Sequence, residues 1–468
     1  MCFIIRSMKT GNVRELWSVS YPMMVSFFSM MLMIFVDRIF LSLYSTNAFN
    51  ASAQAGTLAW GFILGWTTLA SMSEVFVSQF NGAKRFSLVG SPVWQMIWLT
   101  LLSYLFYIPL AIWGSPLIYD PKLNPNEYDF FRFLMFFGPI FSLTPAIGGF
   151  YVGQGKTQIM QWMAILGNLI NIILDPIFIF GFQGIIPSMG IRGAAIATGI
   201  GSFIQALFLF IIFLRKEHRQ NFNTLNWAFN KSLFFRSIRI GLPPAVFVCL
   251  ELMGWAIFYH LMAQISAVHI FVATVCQTIL ILFLFFGMGV EKGAIALTGN
   301  FIGEGERSKV PTVLYSGIKL ISIFTFISAL FLIVYPYPLI DWFLQNPSLL
   351  DPSLNNLEFN LLETKLLIRI GLIFTTLYIL LENIRWMLNG ILTAAGDTLF
   401  LLISGALTVW FLLLIPTYLF IVIPKASIIY SFIIWIVYSA IATGVIFLRF
   451  LQGKWKLKNL VSDERFTH

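Results

Sequence analysis

The sequence predicts an all-α integral membrane protein in which twelve transmembrane helices form two six-helix lobes, related by a pseudo-two-fold axis along the membrane normal. Three observations predict this fold: an apolar composition, a succession of long apolar runs, and an internal repeat. Of the 468 residues, 58% are hydrophobic and only 10% are charged, against about 25% charged in ordinary soluble proteins. One span needs about 20 to 25 mostly apolar residues, so a dozen helices use nearly all of the hydrophobic residues.

The same composition excludes several classes of protein. It leaves no room for a large cytosolic catalytic domain, so we expect no enzyme activity. The three cysteines and four histidines are scattered, which argues against a disulfide framework or a zinc site, and we expect no cofactor. The net charge of +9 is typical of basic cytoplasmic loops in a polytopic protein, so we expect no nucleic-acid partner.

The apolar runs are long and unbroken, and they lack the alternation over about ten residues that is typical of a β-barrel. Their lengths predict helical spans. The twelve predicted spans are residues 15–44, 54–80, 92–114, 130–152, 159–182, 193–214, 238–263, 266–290, 312–340, 366–392, 398–422 and 426–449.

Lysine and arginine are distributed unevenly between the two sides of the predicted bundle. With the N-terminus inside, 20 of the 29 lie in inner segments, Lys292 among them, 6 lie in outer segments, and Arg38, Lys319 and Arg385 lie within spans. The excess of positive charge on inner segments predicts that both termini are cytoplasmic. We expect a multi-pass, monomeric protein of the plasma (inner) membrane, in contact with membrane lipids.

An internal repeat divides the chain into halves. Pro22 and Pro243 are 221 residues apart, and the same offset separates Gln79-Phe80-Asn81-Gly82 from Asn300-Phe301-Ile302-Gly303. We predict an amino-terminal lobe at 1–214, a basic cytoplasmic linker at 215–239, a carboxy-terminal lobe at 240–450 and a cytoplasmic tail at 451–468. Because each half has an even number of spans, the halves enter the membrane in the same orientation and enclose a central cleft.

Ionisable residues inside the first-half spans are candidates for function, because each costs roughly 2.5–3.5 kcal/mol at the bilayer centre. Asp37 has no cation three or four residues away on its helix, and Arg38 points about 100° away from it. Asp175 follows Asn171 by one turn, and Pro176 frees a backbone carbonyl. These groups indicate an oxygen-rich site for a cation or proton. The alternative is that both aspartates only cap or cross-link helices.

Two further carboxylates lie in second-half spans. Glu251 has no charged neighbour within its own helix, so it must be protonated, hydrated or paired across the bundle. Glu382 lies one turn after Tyr378 and three residues before Arg385, a spacing that permits an ion pair within the helix. Glu74, at the inner end of span two, is interpreted as structural.

Several stretches resemble the multidrug and toxic compound extrusion (MATE) family. They run in the family's order from span one to span eleven: Pro22 to Phe40, Ser78-Gln79-Phe80-Asn81-Gly82-Ala83-Lys84-Arg85, Asn168 to Gly181, Gly193-Ala194-Ala195-Ile196-Ala197-Thr198, Leu250-Glu251 and Ala395-Gly396-Asp397-Thr398. The resemblance implies antiport of a sodium ion or proton against small amphipathic, often cationic compounds, by alternating access of the two lobes. It also implies a cation site at Asp37, Asn171, Asp175 and Thr198, and a second at Glu251, Tyr378 and Glu382.

Two departures from the family pattern keep an alternative open. Arg38 follows Asp37 where a small polar residue is more usual, and Glu382, at a position that is often aspartate, has Arg385 close by. Arginines in the cleft are what a lipid-linked oligosaccharide flippase of the related polysaccharide-export group needs to bind pyrophosphate. A membrane-embedded transferase is a more distant alternative, since no acid–base or metal cluster is evident.

Overall fold

A computed structural model describes residues 10–182, 184–345, 360–458 and 460–461 of the chain, and these residues are almost entirely helical. The helices, numbered in chain order, are α1 Val13–Tyr44, α2 Thr46–Ala70, α3 Ser73–Gly82, α4 Phe86–Ile118, α5 Pro125–Gly153, α6 Gln158–Phe180, α7 Ile191–Phe213, α8 Lys216–Phe222, α9 Lys231–Ile265, α10 Ala267–Glu304, α11 Arg307–Val334, α12 Tyr337–Gln345, α13 Leu361–Ala394, α14 Thr398–Val422 and α15 Ile428–Leu451.

The predicted membrane fold is confirmed. Eleven helices in the described part of the chain are long and apolar enough to cross a membrane, and within the same residues the extended structure is limited to one isolated bridge between Phe182 and Ile186. The twelfth span is the pair formed by α2 and α3. Ser71 and Met72 form a turn between them, and the hydroxyl of Ser73 donates to the carbonyl of Ala146 on α5 at 2.8 Å.

Several span boundaries were predicted wrongly. Span two was expected to begin at residue 54, but α2 begins at Thr46, and span seven was expected to begin at residue 238, but α9 begins at Lys231. Span eight was expected to end at residue 290, but α10 continues to Glu304. Lys292 therefore lies inside a helix and not in an inner loop. Span nine was expected at 312–340, but α11 ends at Val334 and the separate short helix α12 follows. A hydropathy profile does not show that a helix continues past a charged residue such as Lys292. It also does not show a turn between two apolar segments, such as the one between α11 and α12.

The predicted linker, 215–239, contains the short helix α8 and the first residues of α9. His218 of α8 is buried against the ring of Phe150, with the ring centroids 5.1 Å apart. The side chain of Gln95 holds the next stretch, because it donates to the carbonyl of Ala228 at 3.1 Å and accepts from the amide of Asn230 at 3.0 Å. The domain boundaries themselves stay a prediction.

The hydrophobic cores of the two halves are separate at one end of the bundle and shared at the other. Tyr107 belongs to a core built only from first-half helices, and Trp435 to one built only from second-half helices. By contrast, Leu16 of α1 shares a core with Val290 and Val313 of the second half. We call the joined end, near Gly11 and Val461, the terminal end. The two halves are therefore joined through this shared core at the terminal end.

The two copies of the repeated motif pack against each other at the terminal end. A Cβ on Gly82 would overlap the backbone of Asn300, and one on Gly303 would overlap the carbonyl of Gln79, so only glycine permits this approach. Gly299 lies equally close to the hydroxyl of Ser78. We call Gly82, Gly299 and Gly303 the glycine seam.

Hydrogen bonds reinforce the glycine seam. The Asn81 amide donates to the side-chain carbonyl of Asn300 at 2.7 Å, and the Gln79 amide donates to the backbone carbonyl of Ala394 at 2.7 Å. Both bonds connect α3 of the first half with helices of the second half. The terminal end is thus closed by direct backbone packing.

Candidate cation-coupling site

Asp37 on α1 and Asp175 on α6 lie together although 138 positions separate them in the sequence. Their carboxyl groups interact with each other, and Asp175 is fully buried. No N–H or O–H group in the described residues reaches either oxygen of Asp175. Two carboxylates in contact repel unless a proton or a cation lies between them, so this carboxyl pair requires one.

Asn171 and Thr198 extend the carboxyl pair with further oxygen atoms. The Asn171 amide donates to the hydroxyl of Thr198 at 3.4 Å, and that hydroxyl donates to the carbonyl of Ala194 at 2.9 Å. The side-chain carbonyl of Asn171 is buried and has no donor among the described residues. Carboxylate, amide and hydroxyl oxygens form a donor set that suits a hard cation such as sodium. The residues present therefore fit either coupling ion.

The local sequence explains how these four groups meet. Asn171 and Asp175 are one turn apart on α6, so both point to one face of it. A Cβ on Gly201 would lie 2.7 Å from the carbonyl of Gly167 and 3.1 Å from the Cβ of Asn171. The two glycines thus let α6 and α7 approach closely, which brings Asn171 to Thr198. Pro176 provides no N–H, so it removes the bond that would satisfy a carbonyl four residues earlier.

Glu251 on α9 is paired across the bundle, which is one of the three alternatives that the sequence leaves open. The guanidinium of Arg385 on α13 donates through Nη2 to Glu251 Oε1 at 2.7 Å. The same guanidinium donates through Nε to Glu382 Oε1 at 2.7 Å and makes a second, shorter contact with this oxygen through Nη2. The predicted pair between Glu382 and Arg385 is present, and Glu251 joins it from another helix. We call these three residues the arginine cluster.

Aromatic and hydroxyl side chains surround the arginine cluster. Ser439 donates to Glu382 Oε2 at 3.2 Å, and the indole of Trp386 donates to Glu382 Oε1 at 3.3 Å. The ring of Phe247 lies under the guanidinium, with 5.8 Å from Cζ to the ring centroid. Tyr378 is buried one turn before Glu382, and its ring centroid lies 5.7 Å from that of Trp435.

A second ion pair was missed by the sequence analysis. Lys292 of α10 donates to Glu74 Oε1 of α3 at 2.6 Å, and the side chains are 20% and 3% exposed. This cross-half ion pair joins the two halves. The continuing apolar run after Lys292, with Ile295 and Leu297 buried, was the signal that the helix does not end there. Arg38 is exposed and has no ion-pair partner among the residues that the structure describes.

A bundle of long apolar helices with buried ionisable groups in both halves defines the class of the protein, which is a polytopic membrane protein. The MatE family model matches residues 22–177 and 243–419, more than half of the chain, so the chain belongs to this family. The two matched segments begin with the same 221-residue offset that separates Pro22 and Pro243.

Individual relatives agree with the family. The chain is 23% identical over 460 residues to the probable multidrug resistance protein NorM of Thermotoga maritima, covering 97% of this chain and 95% of that protein. It is 25% identical over 357 residues to the multidrug resistance protein MdtK of Photorhabdus laumondii subsp. laumondii, covering 72% and 76% respectively. Multidrug efflux proteins are therefore among its sequence relatives.

Solved structures show the same fold. A MOP superfamily transporter from Pyrococcus furiosus superposes with a TM-score of 0.82 at 17% identity, covering 97% of this chain and 98% of that one. A MATE crystal structure in the straight conformation also gives 0.82, at 18% identity, covering 96% and 98%. The predicted fold class and the family resemblance are both confirmed.

Proposed function

We propose that this protein exports small amphipathic, often cationic compounds in exchange for a sodium ion or a proton. The two halves alternate access to the central cleft, and the terminal end, closed here, faces the cytoplasm. The protein would act as a monomer in the plasma (inner) membrane. The printed names of the relatives, which are multidrug resistance proteins, support the substrate class.

The carboxyl pair of Asp37 and Asp175 carries the proposal. Its two acids are in contact, and Asp175 lacks a donor from the described residues. A cation or proton that neutralises this pair is bound strongly when present, and its removal leaves adjacent buried negative charges. If cation and substrate bind exclusively, reciprocal linkage lets an inward cation gradient drive substrate outward.

Only one of the two arginines that kept the flippase alternative open is free to bind a phosphate group. Arg385 is 3% exposed and engaged by two carboxylates, so it does not present a free guanidinium to a pyrophosphate. Arg38 is the remaining candidate, and one exposed arginine makes at most one bidentate contact with a phosphate. The carboxylates in the bundle instead favour cationic compounds.

Dye uptake into inverted vesicles tests the proposal. An outward gradient of sodium or of protons, applied separately, should drive accumulation of an ethidium-like dye, and the gradient that works identifies the coupling ion. Asp37→Asn preserves size and hydrogen-bonding capacity, so the variant should reach the membrane normally but show only the background uptake of empty vesicles.

Asp341→Asn is the matched control. It makes the same chemical change in an ion pair with Lys365 whose side chains are 42% and 33% exposed, and such pairs contribute about 0–1 kcal/mol. Its uptake should equal that of wild type. Wild-type uptake by Asp37→Asn would remove the carboxyl pair from the mechanism.

The proposed orientation has its own test. A tag after residue 461 should be protected from external protease in intact cells and cleaved in inverted vesicles. Cys2, which lies outside the described residues, should react with a maleimide only when the reagent can enter the cytoplasm. External labelling of either end would contradict the placement of the termini.

A further inference from the structure

Two carboxylates from different helices converge on one guanidinium in the arginine cluster. Arg385 reaches Glu251 at 2.7 Å and Glu382 at 2.7 Å, so its charge lies between the two acids. Its side chain is 3% exposed, and those of Glu382 and Glu251 are 4% and 15% exposed. The arginine cluster is therefore a buried cation site in which the guanidinium of Arg385 takes the place of a bound ion.

A guanidinium differs from a bound ion in two respects. Arginine stays protonated at every relevant pH, and its planar fork makes several directed bonds to carboxylates at once. Because it is covalently attached, it does not leave when the ion concentration falls. An incoming sodium ion would have to displace a cation that already holds both acids, and it would be repelled by that cation at short range.

We propose that Arg385 is a resident cation that withdraws Glu251 and Glu382 from ion exchange. Coupling then runs through the carboxyl pair of Asp37 and Asp175 alone. This inference rests on the proposed function for its meaning in transport, but the occupancy of the arginine cluster can be measured without transport.

The charge that remains in the arginine cluster does not require a second ion. Two carboxylates and one guanidinium leave one negative charge. Glu382 accepts further hydrogen bonds from Ser439 at 3.2 Å and from Trp386 at 3.3 Å, and hydrogen bonds to the charged form stabilise it. Glu251 is the more exposed of the two acids, at 15% against 4%.

The carboxyl pair of Asp37 and Asp175 provides the contrast within the same molecule. It also brings two acids together, but no basic side chain among the described residues forms an ion pair with it, and both oxygens of Asp175 lack a donor there. One pair of acids has a tethered cation and the other has none. The expected stoichiometry is one coupling ion for each transport cycle.

Equilibrium binding to the full-length protein in detergent tests the inference. The probes are radioactive sodium alone and, separately, the proton, followed by a pH indicator as the pH is stepped. Wild type should bind about one coupling ion, and the Asp37→Asn Asp175→Asn double variant should bind none. Arg385→Gln removes the tethered charge and should raise the number bound by about one, including when it is added to the double variant.

Arg385→Lys is the matched control, because it keeps a positive charge at the same position. It should bind the same number of ions as wild type, so that only Arg385→Gln gains an ion; a merely structural role for Arg385 predicts no gain in either variant. Reversal potentials measured in liposomes should shift in the same pattern, with only Arg385→Gln changing the coupling ratio.

Two results would overturn the inference. One is an unchanged ion count in folded Arg385→Gln. The other is a loss of bound ion in Glu251→Gln, a variant that brings the net charge of the cluster from −1 to 0 and does not depend on Arg385→Gln folding. Failure of the proposed function looks different: wild type would then bind no coupling ion, while Arg385→Gln would still gain one.

Discussion

Replacing Gly303 with alanine should shift the protein away from the conformation in which the terminal end is closed. The added Cβ would overlap the carbonyl of Gln79 and lie 2.8 Å from the amide of Ala83, and both are backbone atoms that no rotamer change can move. Overpacking of this kind costs about 1–3 kcal/mol. If the contact exists only in the closed state, the ratio of closed to open protein falls by roughly 5- to 150-fold.

Gly444→Ala is the matched control. Gly444 also lies within a helix, α15, and a Cβ there would meet nothing within 4 Å. Its alanine variant should be neutral or more stable, by roughly 0.5–1 kcal/mol, because alanine loses less backbone entropy than glycine in a helix.

Maleimide labelling measures the shift. A single cysteine replaces Ser78, which is fully buried beside the glycine seam, in a chain without its three native cysteines. In inverted vesicles Gly303→Ala should accelerate labelling and Gly444→Ala should not. An unchanged labelling rate in Gly303→Ala, together with a lowered melting temperature, would show that the glycine seam is a static contact and would refute the prediction that it separates from its partner when the terminal end opens.

Two further predictions concern buried ion pairs at the terminal end. Lys292→Met leaves Glu74, whose side chain is 3% exposed, without its cation and should destabilise the protein by about 3–5 kcal/mol. The double variant with Glu74→Leu should recover most of the melting temperature in detergent. No recovery would contradict an origin of the effect in this ion pair. Burial opposes ionisation of Asp397, but hydrogen bonds and charge from Arg449 and Lys458 outweigh it and hold the pKa of Asp397 below its ordinary value. This stabilisation is present above the ordinary carboxyl pKa of about 3.9 and disappears as the pH falls through the lowered value. Asp397→Asn should therefore lower the free energy of unfolding by roughly 1.5–3 kcal/mol at neutral pH. Its melting temperature should also change less than that of wild type as the pH is lowered.

The sequence was sufficient to identify the fold and the members of the carboxyl pair. A charge inside an apolar span is expensive wherever the span packs, so Asp37 and Asp175 stand out without any knowledge of their neighbours. The helical period then places Asn171 on the same face as Asp175. Their meeting with Asp37 depends on how α1 and α6 pack, and the resemblance to a known family was needed to predict it.

The arginine cluster shows why the remaining contacts could not be predicted. Spacing within α13 predicts the pair of Glu382 and Arg385, because both lie on one helix and the geometry of a helix is known in advance. Glu251 lies 134 positions before Arg385, and no local rule connects them. The error at Lys292 has the same origin, since its charge was interpreted as the end of a span when an acid on another helix neutralises it. A hydropathy scale assigns a free-energy cost of burial to each charged residue separately. In the folded bundle, that cost depends on whether an oppositely charged side chain lies beside it. The ion-pair partners of Glu251 and Lys292 lie on distant helices, so a single sequence cannot identify them.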